Sequence, residues 1–463
     1  MLWYRCPPNH FYVQLHGVIM RVLRTVLAGT AATALAIAGS VYFVASPASA
    51  APIGAVGTYT PLSPSRILDT RSGVGAPKGI VGPGGNVRLQ VNGRGGVPGS
   101  AVSAVVLNLT VTGSLGGGYL TAYPDGAARP TASSINFAKG VTRANSVTVA
   151  VGANGFVNIF QSSAGAHVIA DVAGYYSGDE GATPGSTYFP VRPFRVDDTR
   201  VDPETGQPLG PVPAQSWISY AITFEDPAVD SAVTAVAMNV TAVNPATGGY
   251  LTTWNGAGDP PAGVSALNYG KGGIWPNSAT VPTAPCDFCG DPSLPMFGVY
   301  TSSTTHWLVD VFGVYFNDSI DGLKFKPITP QRILDTRPGA PMTRGTRAVD
   351  APSTITPETF ALSLNVTAVA PTEGTYLTVW PNDGSPRPSV STLNPAKGET
   401  VANGTIAELG DTNQFLIYNN SGSLDVVADL GGLFEYFPPA EAGARSANNG
   451  PLQLTGKVAA STR

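Results

Sequence analysis

The stretch Ala104-Val105-Val106-Leu107-Asn108-Leu109-Thr110-Val111-Thr112 decides the fold. Successive side chains of a β-strand point to opposite faces. Val105, Leu107, Leu109 and Val111 therefore share a core face, and Ala104, Val106, Asn108, Thr110 and Thr112 share the other. The pattern returns twice. Val236, Met238, Val240 and Ala242 alternate with Ala235, Ala237, Asn239 and Thr241; Leu362, Leu364, Val366 and Ala368 alternate with Ala361, Ser363, Asn365 and Thr367. The core-facing residues change between copies, while the Asn and the Thr stay.

The repetition extends outward from this strand. Arg66-Ile67-Leu68-Asp69-Thr70-Arg71 returns as Arg195-Val196-Asp197-Asp198-Thr199-Arg200 and as Arg332-Ile333-Leu334-Asp335-Thr336-Arg337. The period is too long for a solenoid or a propeller blade and suits one domain per copy. A chain of 463 residues has room for three. With 55 Gly, 41 Pro and only 12% charged residues, its short Val-, Thr- and Tyr-rich runs read as strands separated by turns. Copy one divides into eight, at 66–70, 87–91, 104–112, 119–123, 134–137, 146–151, 156–161 and 168–175. The expected class is all-β: three tandem homologous antiparallel β-sandwich domains, jelly-roll-like, after a signal peptide. A partly closed barrel is the alternative. The expected divisions are a leader at 1–50, repeats at 51–182, 183–318 and 319–438, and a disordered tail at 439–463, rich in Ala, Asn and Gly. The links between copies are short, which predicts a rod or a compact cluster rather than beads on a string.

The leader reads from Met20-Arg21-Val22-Leu23-Arg24 through an apolar run at 26–44 to Ala48-Ser49-Ala50. This is a basic start, a hydrophobic segment and a small-residue cleavage site, with Met20 as the true start. An uncleaved anchor is the rival reading. The leader holds Arg5, Arg21 and Arg24 and no acid, so the net charge of −4 becomes about −7 after cleavage. No basic patch suggests nucleic acid. No later apolar run could span a bilayer. Cys286 and Cys289 lie in an insertion confined to copy two. In an exported chain they predict a short disulfide; a zinc site would need two more ligands.

Two sets of residues stay constant and could carry chemistry. Tyr119, Thr121 and Tyr123 share one face of the next strand, as do Tyr250, Thr252 and Trp254, and Tyr376, Thr378 and Trp380. A third strand supplies Asn136, Asn268 and Asn394. If these strands neighbour the one bearing Asn108, Asn239 and Asn365, each copy presents a face of amide, hydroxyl and aromatic groups. Such a face suits sugar: rings cover the apolar side of a pyranose while Asn and Thr reach its hydroxyls. The competing reading is that the amides bond to backbone and the rings pack between sheets or domains. The second set is Asp69 and Arg71, Asp198 and Arg200, Asp335 and Arg337, with Asp171, Asp310 and Asp429 in an apolar context. These read as structural ion pairs that fix strand order. His167 and His306 match each other, but copy three has Asp425 there, so no catalytic triad or metal site is assembled. No cofactor is expected, and the chain reads as not an enzyme.

These motifs together resemble a tandem secreted β-repeat domain of actinobacteria. The residues that carry the likeness are Ser65-Arg66-Ile67-Leu68-Asp69-Thr70-Arg71, Leu107-Asn108-Leu109-Thr110-Val111, Gly118-Tyr119-Leu120-Thr121, Ile135-Asn136-Phe137, Ala144-Asn145 and Asp171-Val172-Ala173-Gly174-Tyr175. In that group the repeats stand alone or follow extracellular hydrolases. The resemblance implies export and an accessory or surface role, not a reaction. The expected function is a secreted, cell-wall-associated, non-catalytic binding protein with polysaccharide as partner. The alternative is a structural or adhesion protein whose repeats pack on one another or on other chains.

Overall fold

The structure is a computed structural model that describes residues 10–13, 55–178, 185–203, 205–437 and 457–462. It is all-β, and every strand pair is antiparallel. In copy one the first to eighth strands are Tyr59–Asp69, Asn86–Gln90, Val102–Thr112, Gly118–Pro124, Ile135–Phe137, Arg143–Ala150, Phe156–Gln161 and His167–Ser177. They form two sheets, in the order first-eighth-third-sixth and second-seventh-fourth-fifth. Val105, Leu107, Leu109 and Val111 of the first sheet meet Val87, Leu89, Leu120, Val157 and Ile159 of the other in one hydrophobic cluster. Alternation along each strand produces this: one face of each sheet is apolar, and the two faces bury each other.

Copy two repeats both orders with Thr187–Asp198, Ser216–Thr223, Val233–Val243, Gly249–Trp254, Leu267–Tyr269, Ile274–Pro282, Pro295–Thr301 and His306–Phe316. Copy three has Lys324–Asp335, Met342–Asp350, Thr359–Val369, Leu377–Pro381, Val401–Glu408 and Gln414–Glu435. Its last strand runs through both layers, serving as the seventh strand at its start and the eighth at its end. The fifth strand shrinks to a bridge between Leu377 and Leu393. Copy three is therefore one continuous sheet, and the three copies make five sheets in all. Each copy has its own hydrophobic cluster.

A fourth cluster lies between the copies. It joins Ala104 and Val106, Ala235 and Ala237, and Ala361 to Tyr59, Tyr176, Tyr188, Tyr315, Phe325 and Phe434. Two aromatic residues come from each copy, all at most 2% exposed. Tyr176 and Tyr315 share a hydrogen bond of 2.6 Å between their hydroxyls. The face that alternation turned away from each core is thus covered by the other copies. Each first-strand aromatic lies on a glycine of the eighth strand. A Cβ on Gly174, Gly313 or Gly432 would come within 2.2 Å of Tyr59, Tyr188 or Phe325.

The polar face expected within one copy is not assembled. The strand of Asn108 lies in one sheet and the strand of Tyr119 in the other, because the third and fourth strands cross between layers. The same holds for Asn239 with Tyr250; in copy three the strand of Asn365 and Leu377–Pro381, which follows Tyr376, share a sheet but pair with opposite ends of the long last strand. Within the expected tail at 439–463, Lys457–Thr462 pairs with Ser216–Thr223, and His10–Val13 pairs with it in turn. The rest of the expected leader at 1–50 lies outside the described residues, as does most of 439–463.

Candidate functional site: the junctions between copies

The constant residues meet where one copy touches the next. Asn108 of copy one donates Nδ2 to the carbonyl of Ser265 in copy two. Asn239 does the same to Ser391 at 2.8 Å, and Asn365 to Ser133 at 2.5 Å. The pattern runs from copy one to two, two to three and three to one, so the copies close a circle.

A second asparagine reinforces each junction. Asn277 Nδ2 donates to Asn108 Oδ1 at 3.0 Å, Asn403 to Asn239 at 2.9 Å, and Asn145 to Asn365 at 2.8 Å. All three donors are fully buried. Each also donates to a carbonyl of its own copy: Ala266, Thr392 and Ser134. Their Oδ1 atoms accept from backbone N–H groups of that same neighbouring copy: Asn277 from Ser146, Asn403 from Ser278 and Asn145 from Gly404. Each of these buried amides therefore makes three hydrogen bonds, two to one neighbouring copy and one to its own. Buried polar groups are stable only when so satisfied.

The acids join the same junctions. Arg66 grips Asp171 in a two-pronged pair at 2.8 and 3.0 Å. Arg195 holds Asp310 and Arg332 holds Asp429 in the same way. Asp171 also accepts from the backbone N–H of Ser265, Asp310 from Ser391 and Asp429 from Ser133. Burial pushes the Asp171 and Asp310 carboxyls above the usual range, and the arginine pairs pull against it. The outer pairs Asp69–Arg71, Asp198–Arg200 and Asp335–Arg337 are closed within each copy. The hydrogen bond from Arg337 lowers Asp335 to about 2.

The remaining candidates serve local structure. Thr121, Thr252 and Thr378 hydroxyls donate to the carbonyls of Ala132, Val264 and Val390, fixing the loop before the fifth strand. Asn136, Asn268 and Asn394 accept from the hydroxyls of Ser133, Ser265 and Ser391 three residues earlier. Tyr123, Trp254 and Trp380 are buried, so they offer no open stacking face. Tyr119, Tyr250 and Tyr376 keep part of their rings in solvent. His167 and His306 pair with Thr70 and Thr199, and Asp425 accepts from Thr336 in the same place. Cys286 and Cys289 form a disulfide. No group of three His, Cys, Asp or Glu suited to a metal occurs among the described residues. No helix among them is long and apolar enough to cross a membrane.

Sequence reasoning passed over Ser133, Ser265 and Ser391, and the first arginine of each motif. The serine was legible as a constant residue three before each constant Asn. What it bonds to was not, because both partners come from another copy.

No family model matches the chain, and no curated protein matches it. Among solved structures it is similar to chains described in "The Triple Jelly Roll Fold and Turret Assembly in an Archaeal Virus" and "Life in the extremes: atomic structure of Sulfolobus Turreted Icosahedral Virus". Identity is 9% in both cases, over 82% of this chain and 90% and 92% of those chains. The TM-scores of 0.15 and 0.16 are too low to carry an argument.

Proposed function

We propose that this chain is a secreted, non-catalytic scaffold of the cell envelope, built from three homologous jelly-roll-like sandwich modules locked into a circle. The observation that carries this reading is the cyclic asparagine network. Residues constant in all three copies are spent on joining the copies, with donors and acceptors matched at every junction. Such a body is stiff and fixes the relative positions of its outer surfaces, which suits an accessory or surface role. The strand orders support the jelly-roll assignment. The Ala48-Ser49-Ala50 site and the Cys286–Cys289 disulfide support export to an oxidising compartment. No nucleic-acid partner is assigned.

Calorimetry and small-angle scattering on the full chain test the reading. Three interlocked modules unfold in one cooperative transition and scatter as a compact particle. Replacing Asn145, Asn277 and Asn403 together by Ala lowers the midpoint and expands the particle. Three separate transitions and an extended wild-type particle overturn it.

Polysaccharide binding is a second reading. It is favoured by one open cleft at a junction.

A further inference from the structure

The seventh and fourth strands of each copy carry an aromatic pair on the outer surface: Tyr119 with Phe160, Tyr250 with Tyr300, and Tyr376 with Tyr418, at 6.2, 6.2 and 6.1 Å between ring centres. In two copies an arginine caps the pair. Arg129 lies 3.8 Å over Phe160, and Arg387 lies 3.9 Å over Tyr418 while donating to the Tyr376 hydroxyl at 3.0 Å. Both arginines stand seven residues before the constant Asn136 and Asn394. The same place before Asn268 is Pro261. Proline has no cation to offer, and no arginine or lysine lies over Tyr250 or Tyr300 among the described residues.

At this uncapped pair the junction of copies one and two opens into a cleft of about 190 Å³. The other junction cavities, of about 30, 30 and 70 Å³, have room for little more than water. Tyr250 and Asn268 of copy two face Arg66, Arg71, Thr110 and Thr112 of copy one across the cleft. The Thr110 hydroxyl is buried and has no partner. The equivalent Thr367 hydroxyl is also unpaired, but at that junction Arg332 donates to the Thr131 carbonyl and Arg129 caps the aromatic pair.

The chemistry selects the ligand. Arg66 and Arg71 line the cleft and oppose a cation, yet Asp69 and Asp171 balance their charge. The Arg71 Nη1 and Asn268 Nδ2 groups donate to nothing among the described residues. A flat apolar face beside several donors fits a polyhydroxylated ring. We propose that the cleft between copies one and two binds a pyranose unit of a polysaccharide, stacked on Tyr250 with its oxygens toward Arg71 and Asn268. This rests on the closed circle, because each wall of the cleft belongs to a different copy.

The test is retention of the full chain on insoluble cellulose, chitin and purified bacterial cell wall. Wild type is retained on at least one. Tyr250→Ala, which removes the platform, and Pro261→Arg, which supplies the missing cap, each reduce retention about tenfold, equivalent to roughly 1.4 kcal/mol. Tyr376→Ala, at a capped pair, leaves retention unchanged. Thermal midpoints separate loss of binding from loss of fold; if Pro261→Arg lowers its midpoint, Tyr300→Ala replaces it. No retention of wild type on any polymer overturns the proposal, as does undiminished retention of both cleft variants. Neither result touches the scaffold reading, which the scattering and calorimetry decide.

Discussion

Asn403 of copy three donates its Nδ2 to Oδ1 of Asn239 in copy two across 2.9 Å, and both side chains are buried. The two stand 164 positions apart in the chain. Asn403 also bonds the Thr392 carbonyl and accepts from the Ser278 N–H. One amide thus makes two hydrogen bonds across the boundary between copies two and three and a third within its own copy.

Replacing Asn403 by Ala leaves three buried polar partners without their bonds. Each costs about 1–3 kcal/mol, and local relaxation recovers part of it. The expected loss is about 3 kcal/mol in a urea titration. A loss below about 1 kcal/mol would mean that water replaces the amide and that the network does not bind the copies.

Removing one member of a buried ion pair costs more than the pair is worth, because the other charge remains. Asp310→Ala leaves the Arg195 guanidinium with only its longer contact to Asp198 at 3.5 Å and leaves the Ser391 N–H without its acceptor. The expected destabilisation is about 3–5 kcal/mol. Substituting both, Asp310→Leu with Arg195→Met, recovers much of it. If the double variant is as unstable as the single, the cost comes from packing and not from the orphaned charge.

Gly313→Ala places a methyl group within 2.2–2.5 Å of the Tyr188 ring in the shared aromatic cluster. That ring is almost fully buried and has no room to retreat. Overpacking of this kind costs about 1–3 kcal/mol. Gly258→Ala is the comparison: it too is a glycine-to-alanine change, but a Cβ there meets nothing within 4 Å, although its φ of +63° adds local strain. Thermal midpoints of the two variants decide. A smaller drop for Gly313→Ala than for Gly258→Ala would show that the aromatic cluster yields.

Glu408 has no counterpart in the other copies, where Ala150 and Pro282 occupy its place. Burial raises its carboxyl from 4.5 to about 7, and the nearby Asp383 adds to the rise. The folded chain therefore holds this proton more tightly than the unfolded chain. The associated stability is complete below about pH 4.5 and is lost as pH rises through about 7. Glu408→Gln removes the dependence. Relative to wild type it gains about 1–2 kcal/mol between pH 5 and pH 8, with partial solvent access reducing the full linkage value. Parallel stability curves for the two proteins across that range would refute the assignment.

Much of the molecule was legible from local pattern. The eight strands expected in copy one match the observed ones closely, except that the first begins at Tyr59 rather than Arg66. Its register breaks between Pro61 and Ser65 and again at Arg66 to Leu68, which obscured the alternation. The positive backbone angles of Gly140, Gly272 and Gly398 follow from their places in turns. The face of Asn and aromatic residues was misplaced, because alternation assigns a residue to a side of its strand and cannot say which strands are neighbours.

Sequence by itself determined that this is an all-β chain in three copies, that each third strand has one apolar and one polar side, and which polar residues stay constant. Those properties are local: they follow from a two-residue period and from comparing the chain with itself. Only the tertiary structure decided what covers the polar side. The partner of Asn108 is Asn277, 169 positions away, and the partner of Asn145 is Asn365. An amide carries both donor and acceptor and bonds equally well to backbone, water or sugar, so its residue type names no partner. Closure of the circle supplies one, by bringing a second amide from the next copy into a space that excludes water.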